Sequence, residues 1–141
     1  MQNIFKPLAL PNAASLALLF LRIVVGLAFM LHGWGKIQHP LSWMGPEAIV
    51  PPFFQAAAAL SEFVGGFLLI VGLFTPIAAL GIACTMAFAT WTHAVLLHDP
   101  FVSKGGGGSY ELALVFLGVA LMLMLAGPGR FSIDNAVFGE R

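Results

Sequence analysis

The sequence predicts an all-α integral membrane protein, a four-helix bundle with a short interfacial C-terminal segment. Three observations predict it. Of 141 residues, 60% are hydrophobic and only 9% charged, where soluble domains average roughly 45 to 50% and about 25%. The chain holds four apolar windows near the length of roughly 20 residues that crosses a hydrocarbon core of about 30 Å. Gly and Pro punctuate the gaps between them. One small core cannot hide this much apolar surface from water, so the remainder must face lipid. Six basic and six acidic side chains give a formal net charge of zero, which leaves no electrostatic footprint for nucleic acid. The length allows one domain, 1–141.

The first helix is expected over about 14–34. Lys6 and the run from Ser15 to Leu21 have the order of a secretory signal peptide. No small-residue cleavage site follows, however; Arg22 interrupts the run and it resumes at Ile23, so the helix is expected to be retained as a span. The second and third helices are expected over about 53–74 and 76–97. Thr75 and Pro76 form their junction, and proline is tolerated at a helix start while disfavouring helix in the residue before it, which suits a tight antiparallel hairpin. The fourth helix, about 110–126, follows the loop Gly105 to Ser109.

The tail GPGRFSIDNAVFGER (Gly127 to Arg141) stops the fourth helix and sets Phe131, Ile133, Val137 and Phe138 among polar residues, as in a segment lying in the interface. Ser132 is spaced to cap a short helix, with Asp134 favouring its first turn. Four spans put both termini on one side of the membrane, the near side, and the first and third connections on the far side. Lys6, Arg130 and Arg141 against Lys36 and Lys104 favour a cytoplasmic near side in a bacterial inner membrane.

Charged residues inside a bilayer are rare and usually paired or functional. Arg22 in the first span and Glu62 in the second fall within about a helical turn of the same depth when each is counted from the end of its own window. They are therefore expected to form an intramembrane ion pair, either as a packing device or as a carboxylate whose charge is set by the guanidinium. Gln55, seven residues before Glu62, shares its face and extends a polar track toward the far side. Ala58 and Gly66 flank Glu62, while Ala57, Ser61 and Gly65 form a second small stripe. Ala79, Ala83 and Ala87 repeat the device in the third helix, and such stripes are packing seams. The single cysteine, Cys84, excludes a disulfide or CxxC pair within the chain and reads as a small buried hydrophobe.

The far side gathers the remaining ionisable groups: His32 and Lys36, His93, and Glu111, with His39, His98, Asp99 and Lys104 in the loops. Interfacial anchoring accounts for them in one reading. In another, His32, Lys36, Gln55, His93 and Glu111 bind a ligand, with Trp34 and Trp91 beside an apolar cleft for a quinone tail. A histidine pair ligating haem is a third. No spacing of the HExxH kind supports a metal site.

The segments RIVVGLAFMLHGWGK (Arg22 to Lys36), SEFVGGFLLIVGLFTPIAAL (Ser61 to Leu80), YELAL (Tyr110 to Leu114) and GPGRFSID (Gly127 to Asp134) together resemble the DoxX family of small bacterial four-helix membrane proteins. Arg22, His32, Gly33, Lys36, Glu62, Gly65, Gly66, Glu111, Gly129, Arg130 and Asp134 fall where that family has similar residue types. The resemblance implies a bundle in the cytoplasmic membrane and an association with quinone-linked redox chemistry. The expected function is thus a subunit of a quinone-dependent oxidoreductase, not catalytic alone, that binds a quinone near the far face and works with a protein partner or as a homo-oligomer. A non-enzymatic scaffold recruiting an oxidoreductase is the alternative. A small transporter is disfavoured, since four short helices leave little room for paired repeats.

Overall fold

A computed structural model describes residues 4–140, so Arg141, counted above among the near-side charges, lies outside the described residues. The elements are α1 (Asn12–Gln38), α2 (Pro52–Val71), α3 (Thr75–Trp91), α4 (Glu111–Ala126) and the short α5 (Ile133–Phe138). A π-helical turn over Thr92–Leu96 extends α3. Among the described residues three helices are long and apolar enough to cross a membrane: α1, α2, and α3 with its π turn. The apolar α4 is shorter, with 16 residues. No more than 33% of the most apolar window of each span is buried inside the bundle, and Phe20, Leu31, Phe53, Ile77 and Leu125 point outward. Such a surface requires lipid around it.

The helices follow the expected order with shifted ends. The first helix is longer than expected at both ends, reaching Asn12 and Gln38. The second ends at Val71, earlier than expected, because Gly72 takes a left-handed φ of 68° and donates its N–H back to the carbonyls of Leu68 and Leu69, which closes the helix. Pro76 then sits in the first turn of α3, where its missing N–H costs nothing.

Neighbours in sequence pack as neighbours in space, α1 on α2, α2 on α3 and α3 on α4. The rings of Phe29 and Phe116, 5.0 Å apart, bring α4 against α1 and close the bundle. The core is built from Phe29, Leu69, Ile82 and Leu123, each at most 1% exposed.

The two small stripes of α2 are seams toward their glycine ends, one for each neighbour, while Ala57 is exposed. A Cβ placed on Gly66 would lie 2.7 Å from the Gly26 carbonyl oxygen, and one on Gly26 would lie 2.6 Å from that of Gly66. The two backbones are therefore in direct contact, which only glycine on both sides permits. On its other face α2 sets Gly65 against Ala78 and Ile82, and Ser61 against Gly81.

Candidate functional site

The register of α1 on α2 decides which polar groups meet. With Gly26 on Gly66 and Gly33 on Phe63, Arg22 stands beside Gly72 at the end of α2, while Glu62 stands beside Lys36. The ten residues from Glu62 to Gly72 correspond to about 15 Å along the helix axis. The Arg22 and Glu62 pair expected from depth is therefore not formed. Counting depth from window ends fails because the 27-residue α1 runs past the end of the 20-residue α2 on the near side.

Arg22 belongs to a near-side lock. It is fully buried, and its two terminal nitrogens donate to the carbonyls of Pro128 and Phe131, each at 2.7 Å. Asp134 completes the lock, its carboxylate accepting from the backbone N–H of Phe74 at 2.7 Å and of Thr75 at 2.9 Å. These donors open α3, where the helix dipole favours negative charge. The Asp134 N–H donates to the Gly72 carbonyl at 2.8 Å, and Ser132 caps α5 by accepting from Asn135 N–H at 3.2 Å. The tail is thus tied to α1, to the α2–α3 turn and to the first turn of α3.

The far end is organised differently. Glu62, 1% exposed, accepts from Lys36 Nζ at both carboxylate oxygens, at 2.6 and 2.7 Å. Lys36 Nζ also lies 4.5 Å from the centroid of the Trp43 ring, a cation–π distance. Trp43 in turn donates its indole N–H to the Gln55 carbonyl at 3.0 Å. The Gln55 side chain accepts from Met44 N–H and donates to the Val50 carbonyl. Gln55 therefore pins the loop between α1 and α2. His93 sits on the π turn, a feature frequent at functional sites, and its Nδ1 lies 2.7 Å from Asp99 Oδ2.

Two cavities meet at these groups. An inner chamber of about 240 Å³ lies between α1, α2, α3 and α4, with His32, Lys36, Glu62 and His93 on its wall and Phe29 and Phe116 among its apolar lining. An outer groove of about 780 Å³ runs between α2, α3 and the loop after α1, with Trp43, Phe54, Phe88 and Trp91 on its walls. Lys36, Glu62, Met86, Ala89 and His93 border both.

Of the expected ligand-binding residues, the structure brings His32, Lys36 and His93 together around the chamber and adds Glu62 to them, while Gln55 lines the groove with Lys36, Glu62 and His93. Glu111 stays outside. It is exposed, and α4 reaches the chamber through Leu112, Ala113 and Phe116, a helical face from which Glu111 is turned away. Cys84 is exposed and lines the groove, because the packed stripe of α3 is Ala79, Ile82, Ala83 and Met86 and Cys84 lies off it. Sequence reasoning missed the Lys36 and Glu62 pair, the place of Asp99 beside His93, and Asp134 as a cap for α3. Matching Gly26 to Gly66 of the second helix would have given the register, and with it the first of these. Among the described residues no three His, Cys, Asp or Glu side chains converge as a metal-ligand set.

Fold and site define a small helical membrane protein with a locked near end and an ionisable, cavity-bordered far end. The DoxX family model matches residues 17–95, which hold most of α1 and all of α2 and α3 with Lys36, Glu62 and His93, and the chain belongs to the DoxX family. A Haemophilus influenzae protein named as uncharacterized is 37% identical over 123 residues, covering 86% of this chain and 90% of that one. Inner membrane protein YqjF of Escherichia coli is 33% identical over 120 residues, covering 81% and 86%. CatD of Bacillus subtilis, provisionally named an oxidoreductase, is 31% identical over 123 residues, covering 85% and 86%. No solved structure matches the chain significantly.

Proposed function

We propose that this protein binds a quinone or a similar lipophile in the outer groove, as the membrane subunit of a quinone-linked redox system whose turnover depends on a protein partner. The observation that carries this reading is the groove itself. Its volume of about 780 Å³ lies within the roughly 300–1,000 Å³ of small-molecule sites, and an apolar, aromatic wall with a few polar groups is the usual make-up of such sites. Phe54, Phe88 and Trp91 on that wall are exposed at the outside of the bundle, so a lipophile can enter from the bilayer. The head group would lie toward Lys36, Glu62 and His93, which supply donors and charge at one end. The chamber between His32 and His93, about 240 Å³, is small for a haem macrocycle. A bound quinone would supply the redox chemistry; the protein supplies binding and orientation. The provisional oxidoreductase name of the Bacillus subtilis relative is in keeping with this reading.

Tryptophan fluorescence tests it. Trp43 and Trp91 line the groove, whereas Trp34 packs on Phe63, with ring centroids 5.6 Å apart. Titrating the detergent-solubilised protein with a short-chain ubiquinone analogue should quench fluorescence saturably. Trp43→Phe and Trp91→Phe should each reduce the quenching, and Ala58→Phe should abolish saturation by filling the groove. Quenching that never saturates, or that survives Ala58→Phe unchanged, would refute the site. A scaffold with no ligand would give that result.

A further inference from the structure

The geometry points to the His93 and Asp99 pair as a proton relay from far-side water to the oxygen of a quinone in the groove. This inference rests on the function proposed above and adds to it a role for two named side chains. Reduction at a quinone oxygen requires protons, and an apolar groove facing lipid cannot supply them. Three residues that border both the groove and the inner chamber are ionisable: Lys36, Glu62 and His93. Lys36 and Glu62 are engaged with one another at 2.6 and 2.7 Å, and Glu62 is buried.

Lys36 reaches solvent, its side chain 26% exposed, but its ammonium is held by both oxygens of Glu62, so of the three His93 is the one placed to deliver a proton. Its own side chain is 39% exposed, and that of its partner Asp99 is 21% exposed. The two residues are tied twice, through Nδ1 to Oδ2 at 2.7 Å and through Asp99 N–H to the His93 carbonyl at 2.9 Å. With Nδ1 held by Asp99, Nε2 is the ring nitrogen left for a ligand, the division of labour by which a carboxylate orients a working imidazole. The other titratable groups facing this pair across the chamber are His32 and Lys36 from α1 and Glu62 from α2, while α4 contributes Leu112, Ala113 and Phe116.

In the step that follows, the Nε2–H bond of His93 breaks as an O–H bond forms on the ligand. The imidazole keeps its Nδ1–H on Asp99, which orients the ring, and far-side water, which reaches the half-exposed His93 side chain, returns a proton to Nε2. Two electrons from a reduced redox protein and two passes of His93 convert one quinone to one quinol.

The test follows proton uptake and binding separately. The full-length protein in micelles, loaded with a short-chain ubiquinone analogue, is reduced by a photoexcited deazaflavin, and a pH-indicator dye records uptake. Binding is measured by tryptophan quenching. His93→Gln should slow uptake about 100-fold, within the range of a lost general acid, while the quinone still binds and added imidazole restores the rate. Asp99→Asn should slow uptake in the same direction, and serves alone if the His93 variant fails to fold. His98→Gln, in the same loop and bordering neither cavity, should leave the rate unchanged. Normal uptake in a variant that binds quinone would overturn the relay and leave the binding site standing. Failure of the unmutated protein to bind quinone would overturn the proposed function, and the relay with it.

Discussion

Replacing Arg22 by Met should open the C-terminal tail while leaving the far end intact. Arg22 is fully buried and holds two carbonyls at 2.7 Å. A hydrogen bond to a charged group contributes roughly 1.5–3 kcal/mol, so losing both would cost about 3–6 kcal/mol. Removing a guanidinium from the interior also removes its desolvation penalty, which brings the net loss to about 3 kcal/mol. At about 1.4 kcal/mol per factor of ten, the open population of the tail rises roughly 100-fold. Arg22→Lys should fall between, because an ammonium is a point donor and cannot span two carbonyls as the planar fork does.

Trypsin reads this opening. Arg130 is exposed as a side chain, but its N–H is held by Ser15 Oγ at 3.3 Å, so cleavage after it requires the tail to lift. Lys104 in the exposed far loop is the internal standard, its cut distinguished by mass spectrometry. Where opening is fast relative to cleavage, the rate follows the open population. The expected order is parent, then Arg22→Lys, then Arg22→Met, with Glu62→Gln indistinguishable from parent at Arg130. Cleavage at Arg130 unaffected by Arg22→Met would refute the clamp. Acceleration by Glu62→Gln would show that Arg22 depends on Glu62 after all.

Other substitutions probe the remaining contacts. Lys36→Met should destabilise by about 3–5 kcal/mol because it strands a buried carboxylate, and Lys36→Met with Glu62→Gln should recover much of that loss in a detergent thermal melt. Gly66→Ala should cost about 1–3 kcal/mol by overpacking, since its Cβ would meet the Gly26 carbonyl at 2.7 Å. Gly65→Ala should be neutral or slightly stabilising, because its nearest contact is an ordinary 3.5 Å and alanine favours helix. Asp134→Asn weakens two charge-assisted bonds from Phe74 and Thr75 and should accelerate tryptic cleavage after Arg130 about 10-fold.

Much of the fold is legible in the sequence because hydropathy and breakers act locally. Apolar windows give helices, Thr75 and Pro76 give a hairpin, and Ser132 gives a cap, each within one or two turns of chain. Pairing between helices is a different kind of information. Arg22 and Glu62 look matched when depth is counted from window ends, yet a backbone contact between Gly26 and Gly66 slides α1 relative to α2 and pairs Glu62 with Lys36 instead. The site suffers from the same nonlocality. Asp99 reads as a loop residue until the π turn brings His93 onto it, and no local pattern marks that the loop after α1 folds back onto Gln55. A helical face likewise excludes Glu111, although its depth would have admitted it.

The partners of the buried polar groups distinguish structure from function at the two ends. On the near side, Arg22 and Asp134 are satisfied by backbone carbonyls and N–H groups. Those partners neither titrate nor move without unfolding a turn, so their bonds can only hold the tail. On the far side, buried Glu62 and partly exposed His93 are satisfied by Lys36 and Asp99, side chains that can exchange protons and turn about their own torsions. Both pairs border cavities, and no cavity described above touches the near-side lock. A bilayer penalises buried ionisable groups wherever they lie. Those satisfied by fixed backbone serve the fold, and those satisfied by other ionisable groups beside open space retain the freedom that ligand binding and proton transfer require. For that reason ligand assays belong at Lys36, Glu62 and His93, and stability assays at Arg22 and Asp134.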